Sequence, residues 1–273
     1  MKKLCLFLVI PAFGSLSYGQ YKIPVSTGQK LHTTSSSSST ITQTVMGQDM
    51  VIKSDNVFRL EVVVDSVEPI INLKTTIQGM KMNMDANGQT VNFDSEKKED
   101  MEGMMGKALS PMIGTPFHLY VKPEGGALTD KAASQLPELI KASGTEENFL
   151  KLGNELLLAL PASLKPGDHW AEETNGEGNN KRHVDYTVVS LNGPEIVVSF
   201  KGTESTSASK TIQGMEAQVT ANAEFSGEMT VNSKTGVILK KKSNTTGKGV
   251  TAIMGQNIDF VVKSDDNTQT TAE

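Results

Sequence analysis

Thr76-Ile77-Gln78-Gly79-Met80 and Thr211-Ile212-Gln213-Gly214-Met215 are the same five residues, set far apart in one chain. Thr44-Val45-Met46-Gly47-Gln48 and Ala252-Ile253-Met254-Gly255-Gln256 are variants of them. Each copy is a β-branched residue, a long flexible one, a glycine and another long one, inside strand-like sequence. Around the second copy Ile77 is odd-numbered, whereas the apolar Met80, Met82 and Met84 that follow are even. Around the third, Ile212 is even and the apolar Met215, Ala217, Val219, Ala221, Ala223 and Phe225 are odd. The alternating face flips at the glycine both times. One extra residue in a β-bulge does this, so both copies predict bent, bulged strands.

Outward from these copies the chain reads as strands, then helices, then strands again. Val57 to Val64 is a strand, and Thr75 to Met84 and Gln89 to Phe93 flank Asn87-Gly88, the strongest short hairpin signal. Leu31 to Val45 is rich in Ser and Thr, including Ser35 to Ser39. It reads either as a linker or as a polar edge strand, because Thr40 to Val45 continues it with β-branched residues. At Asp94-Ser95 a helix start is expected, with Met101, Met104, Met105, Ala108, Leu109 and Met112 on one apolar face up to Pro111. A short strand over 115–121 and helices over 129–142 and 145–160 follow. From 168 onward strands return, with turns at Asn192-Gly193-Pro194 and Ser233 to Gly236.

The expected fold is α+β: mainly antiparallel, curved, half-barrel-like sheets in two β sections with a mid-chain helical insert. The boundaries are a signal peptide over 1–19, an N-terminal β section over 20–93, the insert with one short strand over 94–165, a C-terminal β section over 166–265 and a flexible tail over 266–273.

Lys2, Lys3, the apolar run Leu4 to Phe13 and Ser17-Tyr18-Gly19 read as a secretory signal with its cleavage site. The only cysteine, Cys5, lies inside it, so the mature chain has no disulfide, zinc thiolate or thiol chemistry. Export without disulfides suits the cell envelope of a Gram-negative bacterium, periplasmic or secreted. Without Lys2 and Lys3 the 26 basic residues fall to 24 against 31 acidic ones. That excess of acid argues against nucleic acid or an anionic membrane surface as partner, and no segment is apolar for long enough to span a membrane. With 5% aromatic residues, the core must rest on Val, Ile, Leu and Met.

Gly47-Gln48, Asp94-Ser95-Glu96 and Pro166-Gly167-Asp168-His169-Trp170, in this order behind a signal peptide, resemble a domain-of-unknown-function family of exported Bacteroidetes-type cell-envelope proteins. The resemblance implies location and a β-rich fold, and it carries no catalytic residues with it.

No chemistry stands out. Met80, Met82 and Met84 share a strand face that suits copper(I), but a core-facing strand needs the same alternation. His32, His118, His169 and His183 are scattered, and neither H-E-x-x-H nor G-x-S-x-G occurs. No catalytic residue, metal or cofactor is expected, and the protein reads as a non-enzyme. Two functions remain, one a binding protein holding an apolar or lipid-like molecule between sheets and helices. Met80, Met82, Met84, Met101, Met104, Met105 and Leu109 are its candidate ligand-facing residues. The other is a structural or interaction protein of the envelope, pairing with a partner through exposed edge strands.

Overall fold

The Ser/Thr stretch lies at the centre of the molecule. A computed structural model describes residues 22–45, 47–126, 152–175, 180–212 and 215–273. In it β1 (Lys30–Val45) is paired along its length with β2 (Gln48–Ser66) on one side and β11 (Gln256–Ala272) on the other. The remaining strands are β3 (Ile71–Ala86), β4 (Gln89–Asp94), β5 (Pro116–Val121), β6 (His169–Asn175), β7 (Lys181–Asn192), β8 (Glu195–Ile212), β9 (Met215–Asn232) and β10 (Ile238–Ile253). All belong to one antiparallel sheet of order β4-β3-β2-β1-β11-β10-β9-β8-β7-β6, with β5 on β3. The sheet is open, since β4 and β6 each pair on one side only. The strands before and after the helical region thus form a single sheet, joined where β1 meets β11.

Two expectations are corrected by that seam. β1 is neither linker nor edge: its hydroxyls are partnered across the ladder, Thr33 with Thr270 at 3.1 Å and Ser39 with Ser54 at 2.7 Å. Side-chain partners of this kind let a polar strand be interior without stranded hydrogen-bonding groups. Nor does the chain fray after Asp265, because β11 continues to Ala272, opposite Leu31. A β-branched, threonine-rich end gains a full ladder there.

One face of the sheet, the inner face, carries the core. At one end of the strands, here called the base, it is sealed in two buried clusters. The first takes Leu31, Leu60, Val62, Leu73, Ile77 and Phe117 from β1, β2, β3 and β5. The second takes Trp170, Val184, Tyr186, Val198, Phe200 and Val231 from β6 to β9. Between them runs Leu156-Leu157-Leu158-Ala159-Leu160. The short helix α3 (Leu152–Leu156) ends where this stretch begins, and Leu157 and Leu160 form bridges to Val237 and Lys22. Leu156, Leu157 and Ala159 join the first cluster, Leu158 and Leu160 the second. The expected helix to 160 is therefore corrected. An extended chain points successive side chains to opposite sides, so an unbroken apolar run suits a strip buried on both sides. Periodicity alone does not separate that from a buried helix. The expected helix over 129–142 lies outside the described residues.

The helix expected from Asp94 is broken into α1 (Lys98–Glu102), α2 (Met104–Leu109) and a single 3-10 turn at Ser110–Met112. Gly103 adopts an extended backbone between α1 and α2 and interrupts the spacing that would align the methionines. Asp94 and Ser95 do not cap it. Ser95 Oγ instead accepts from the Met80 amide at 2.9 Å, and Asp94 Oδ1 from the Glu96 amide at 3.0 Å.

The glycine-centred copies divide into two kinds. At the second, Arg59 pairs with Gly79 and Leu60 with Ile77, so Gln78 is the extra residue of a bulge, as the face flip requires. At the first and fourth, Val45 pairs with Gln48 and Ile253 with Gln256. Those are two-residue hairpins, and Met254 and Gly255 have φ of 50° and 77°, as a type I′ turn demands. The third copy is corrected too: Ile212 pairs with Met215, so the parity changes because the chain reverses between β8 and β9. Gln213 and Gly214 themselves lie outside the described residues. Asn87-Gly88 forms the expected hairpin, with φ of 52° and 85°. The ladders place these connections at the end of the sheet away from the base, here called the tips.

Candidate functional site

Along the strands the inner face changes character. At the base it is sealed: Val62, Leu73, Ile77, Val198 and Val231 are at most 0% exposed. Towards the tips the same face is mainly apolar and only half-buried, with Gln43, Thr206 and Thr251 among its inward positions. The register brings Ile41, Ile52 and Val262 into one transverse row with Ala223 and Gly247. Nearer the tips lie Phe260, Ala221 and Gly249, then Ile258 and Val219. Met82 and Met84 extend the face on β3, and Met84 is 37% exposed. Ala217 and Gly247 are buried exceptions.

Why this half is shallow follows from its small residues. A side chain at Gly249 would overlap the Phe260 ring, and one at Gly202 the Phe225 ring. Each phenyl lies over a cross-strand glycine instead of standing out from the sheet, covering a backbone that has no side chain of its own. Ala221, Ala223 and Val219 add little height. The result is an apolar floor over several strands.

Between base and floor sits a polar cluster. Lys241, 5% exposed, donates to Glu155 Oε1 of α3 at 2.6 Å and lies 5.2 Å from the Phe200 ring centre. Arg182 is 3.9 Å from Glu204 and 4.8 Å from the Phe225 ring centre. Tyr186 donates to Glu172 Oε2 at 3.2 Å. Burial pushes the Tyr186 hydroxyl's pKa far up, with the Glu172 charge adding to it. Asp266 is also held above the usual carboxylate range, by burial first, although Ser264 donates to it at 3.1 Å. A hollow of about 20 Å³ touches Glu172, Arg182, Tyr186 and Lys241, which is room for roughly one water.

The seven candidate residues do not converge. Met80 is 4% exposed and belongs to the packed interior, while Met82 and Met84 lie on the inner face beyond it. Met101 and Met105 are half-buried on the broken helices, Met104 is 90% exposed, and Leu109 packs against the first core cluster. Sequence reading missed Ile41, Ile52, Ile258, Phe260 and Val262 as one surface, since only the register of β1, β2 and β11 unites them. The small odd-numbered residues of β9 were visible as a face but suggested core.

On the opposite face a hollow of about 830 Å³ spans β6 to β11. Most of its outward side chains alternate with the floor's and are polar, Lys181, His183, Thr203, Asn222, Glu224 and Lys248 among them, and Val261 is an apolar exception. His183 stands 3.5 Å from Glu173 and 3.2 Å from Asp185. Among the described residues no group of His, Cys, Asp and Glu is arranged to hold a metal. Among them, too, no helix is long and apolar enough to cross a membrane.

Sixteen solved chains resemble this one. One is lipovitellin, in a structure titled for its lipid–protein interactions, at 11% identity with a TM-score of 0.52. The match covers 90% of this chain, which spans only a quarter (25%) of that one. Such a likeness shows the fold alone. An outer membrane channel from Pseudomonas putida F1 matches at 7% identity over 93% of this chain and 98% of that one, with a TM-score of 0.28 that carries no argument. No curated protein matches. A family model matches residues 68–238, from the end of β2 to the start of β10, and the chain belongs to that family of unknown function, DUF6263.

Proposed function

We propose that this chain is a non-enzymatic binding protein that holds an apolar or lipid-like molecule on the tip half of its inner face. The observation that carries the reading is the change along one face: sealed at the base, apolar but half-buried beyond Phe58 and Phe225. A contiguous stretch of incompletely covered apolar side chains is where an apolar molecule would bind. A fold shared with a protein described by its lipid–protein interactions is compatible with the reading. The expected amino-terminal signal, and a sequence without cysteine after it, add the expectation that it works in a Gram-negative envelope, periplasmic or secreted.

A chain of about fourteen methylenes would gain at most about 11 kcal/mol, at ~0.8 kcal/mol for each one fully buried. Loss of translational and rotational freedom takes back ~4 kcal/mol or more. The remainder sets a limit, a Kd no tighter than on the order of 10 μM, and a chain with one side left in water binds more weakly. Titrating delipidated protein with a fluorescent sixteen-carbon acyl probe tests this. Saturable, stoichiometric binding supports the reading, and a linear, non-saturating response sinks it.

A second reading has one observation in its favour. β7 begins opposite Ser205, so among the described residues β8 from Thr206 to Ile212 has a ladder on its β9 side alone. Ser207 donates its amide to Asn180 Oδ1 at 3.3 Å there. This polar edge, not β1, is where an envelope partner would add a strand. Recovery of a stoichiometric partner lost on substituting Ala208 by proline would favour it over lipid binding.

A further inference from the structure

The charges beside the apolar floor are unequal. Among the described side chains Lys241 and Arg182 are the cations of the inner-face cluster, and each faces its own carboxylate, Glu155 and Glu204. Glu172 and Asp266 are carboxylates in addition to those pairs. The remaining neighbours are neutral: Tyr186 directs its hydroxyl to Glu172, Ser264 directs its own to Asp266, and Ser37 lies opposite Asp266 across the β1–β11 ladder. On the seam strands the inward positions next to this cluster are hydroxyls and amides, Ser35, Ser39, Asn56 and Thr245, which suit an uncharged polar group. A molecule whose apolar chain lies on Val219, Ala221 and Phe260 would meet this carboxylate surplus at its polar end.

We infer that the inner face takes single-chain amphiphiles with an uncharged or cationic polar end and discriminates against those ending in an anion. The inference rests on the lipid-binding reading and specifies its ligand class. A carboxylate head would bring a like charge towards Asp266, on β11 with Phe260, in a partly dry site where screening by salt is weak, while Glu172 on β6, with four strands between, adds the same sign at the far side of the cluster. A hydroxyl-bearing head finds donors and acceptors along the Ser/Thr seam. A cationic head finds Asp266 on β11, with Glu172 on β6 reinforcing the same sign from farther along the sheet.

The experiment displaces one bound sixteen-carbon fluorescent ester from delipidated, full-length protein with three competitors of equal chain length: monopalmitoylglycerol, hexadecyltrimethylammonium and palmitate. Each is kept below its aggregation concentration. The glycerol ester and the ammonium should displace at concentrations at least ~10-fold lower than palmitate, about 1.4 kcal/mol of discrimination. Glu172→Gln with Asp266→Asn preserves the acceptors for Tyr186 and Ser264 and should reduce that ratio towards one. Palmitate competing as well as the others overturns the inference while leaving lipid binding intact, as does an unchanged ratio in the double variant. No displacement by any competitor, with no saturable probe binding, removes the lipid-binding reading and the inference together.

Discussion

At the scale of single residues, the bulge at Gln78-Gly79 is held from several sides. Ser95 is bonded to both the amide and the carbonyl of Met80 at 2.9 Å, and Arg59, opposite Gly79, reaches Glu96 at 2.6 Å. Lys81 bridges Asp94 at 3.1 Å and Glu96 at 3.0 Å. The Glu96 amide, then Lys81, holds the Asp94 carboxyl below its ordinary range, and Arg59, then Lys81, does the same for Glu96. Carboxylates with depressed folded-state pKa values stabilise at pH above the unfolded values and lose that contribution as pH falls through the folded ones. The melting temperature of Glu96→Gln should therefore lie below that of the wild type near pH 6, and the gap should close as the pH falls below the ordinary glutamate range. The groups are exposed, so the gap should also shrink in salt. A Cβ at Gly79 meets only the mobile end of Arg59, whereas one at Gly227 meets the Lys242 carbonyl and the Phe200 ring. Gly227→Ala should cost about 1–3 kcal/mol in urea unfolding, clearly more than Gly79→Ala.

At the scale of elements, the strip from Leu156 to Leu160 and the strand β11 join the two halves of the sheet. Leu157 is 4% and Leu158 6% exposed, in different clusters. Leu→Ala at either should cost about 2–5 kcal/mol in equilibrium unfolding. Removing residues 265–273 should abolish cooperative melting, because those residues pair with both β1 and β10; an unchanged melt would restore the frayed tail. What was legible in the sequence was local. Asn87-Gly88 carries its turn in two residues, and the bulge at Gly79 shows as a change of parity. What was not legible depends on partners far along the chain. Nothing near Ser35 indicates that Thr268 lies within hydrogen-bonding distance of it, at 3.4 Å, so a central strand looked like an edge. Nor does the parity flip at Gly214 tell a bulge from a reversal, since both insert a change of face.

At the scale of the whole molecule, one open sheet presents two unlike faces. The inner one is sealed by the strip at the base and opens into a mainly apolar floor; the outer one is mostly polar over the same strands, with Val261 among its apolar exceptions. The candidate site was only partly legible: Met82 and Met84 were read correctly as one strand face, while Met101, Met104, Met105 and Leu109 depended on a helix that Gly103 breaks. The floor itself arises from the pairing of β1, β2, β9, β10 and β11. Adjacent residues of one strand provide the sharpest discrimination between its two sides. Val262 faces inward over Gly247, and Val261, 45% exposed, faces outward. Acyl-probe affinity of Val262→Asp and Val261→Asp, each first shown to melt cooperatively, therefore tests the central claim most directly. The account predicts at least a ~10-fold loss for Val262→Asp, about 1.4 kcal/mol, and wild-type affinity for Val261→Asp. Equal effects at the two positions, or a loss confined to Val261→Asp, would contradict it.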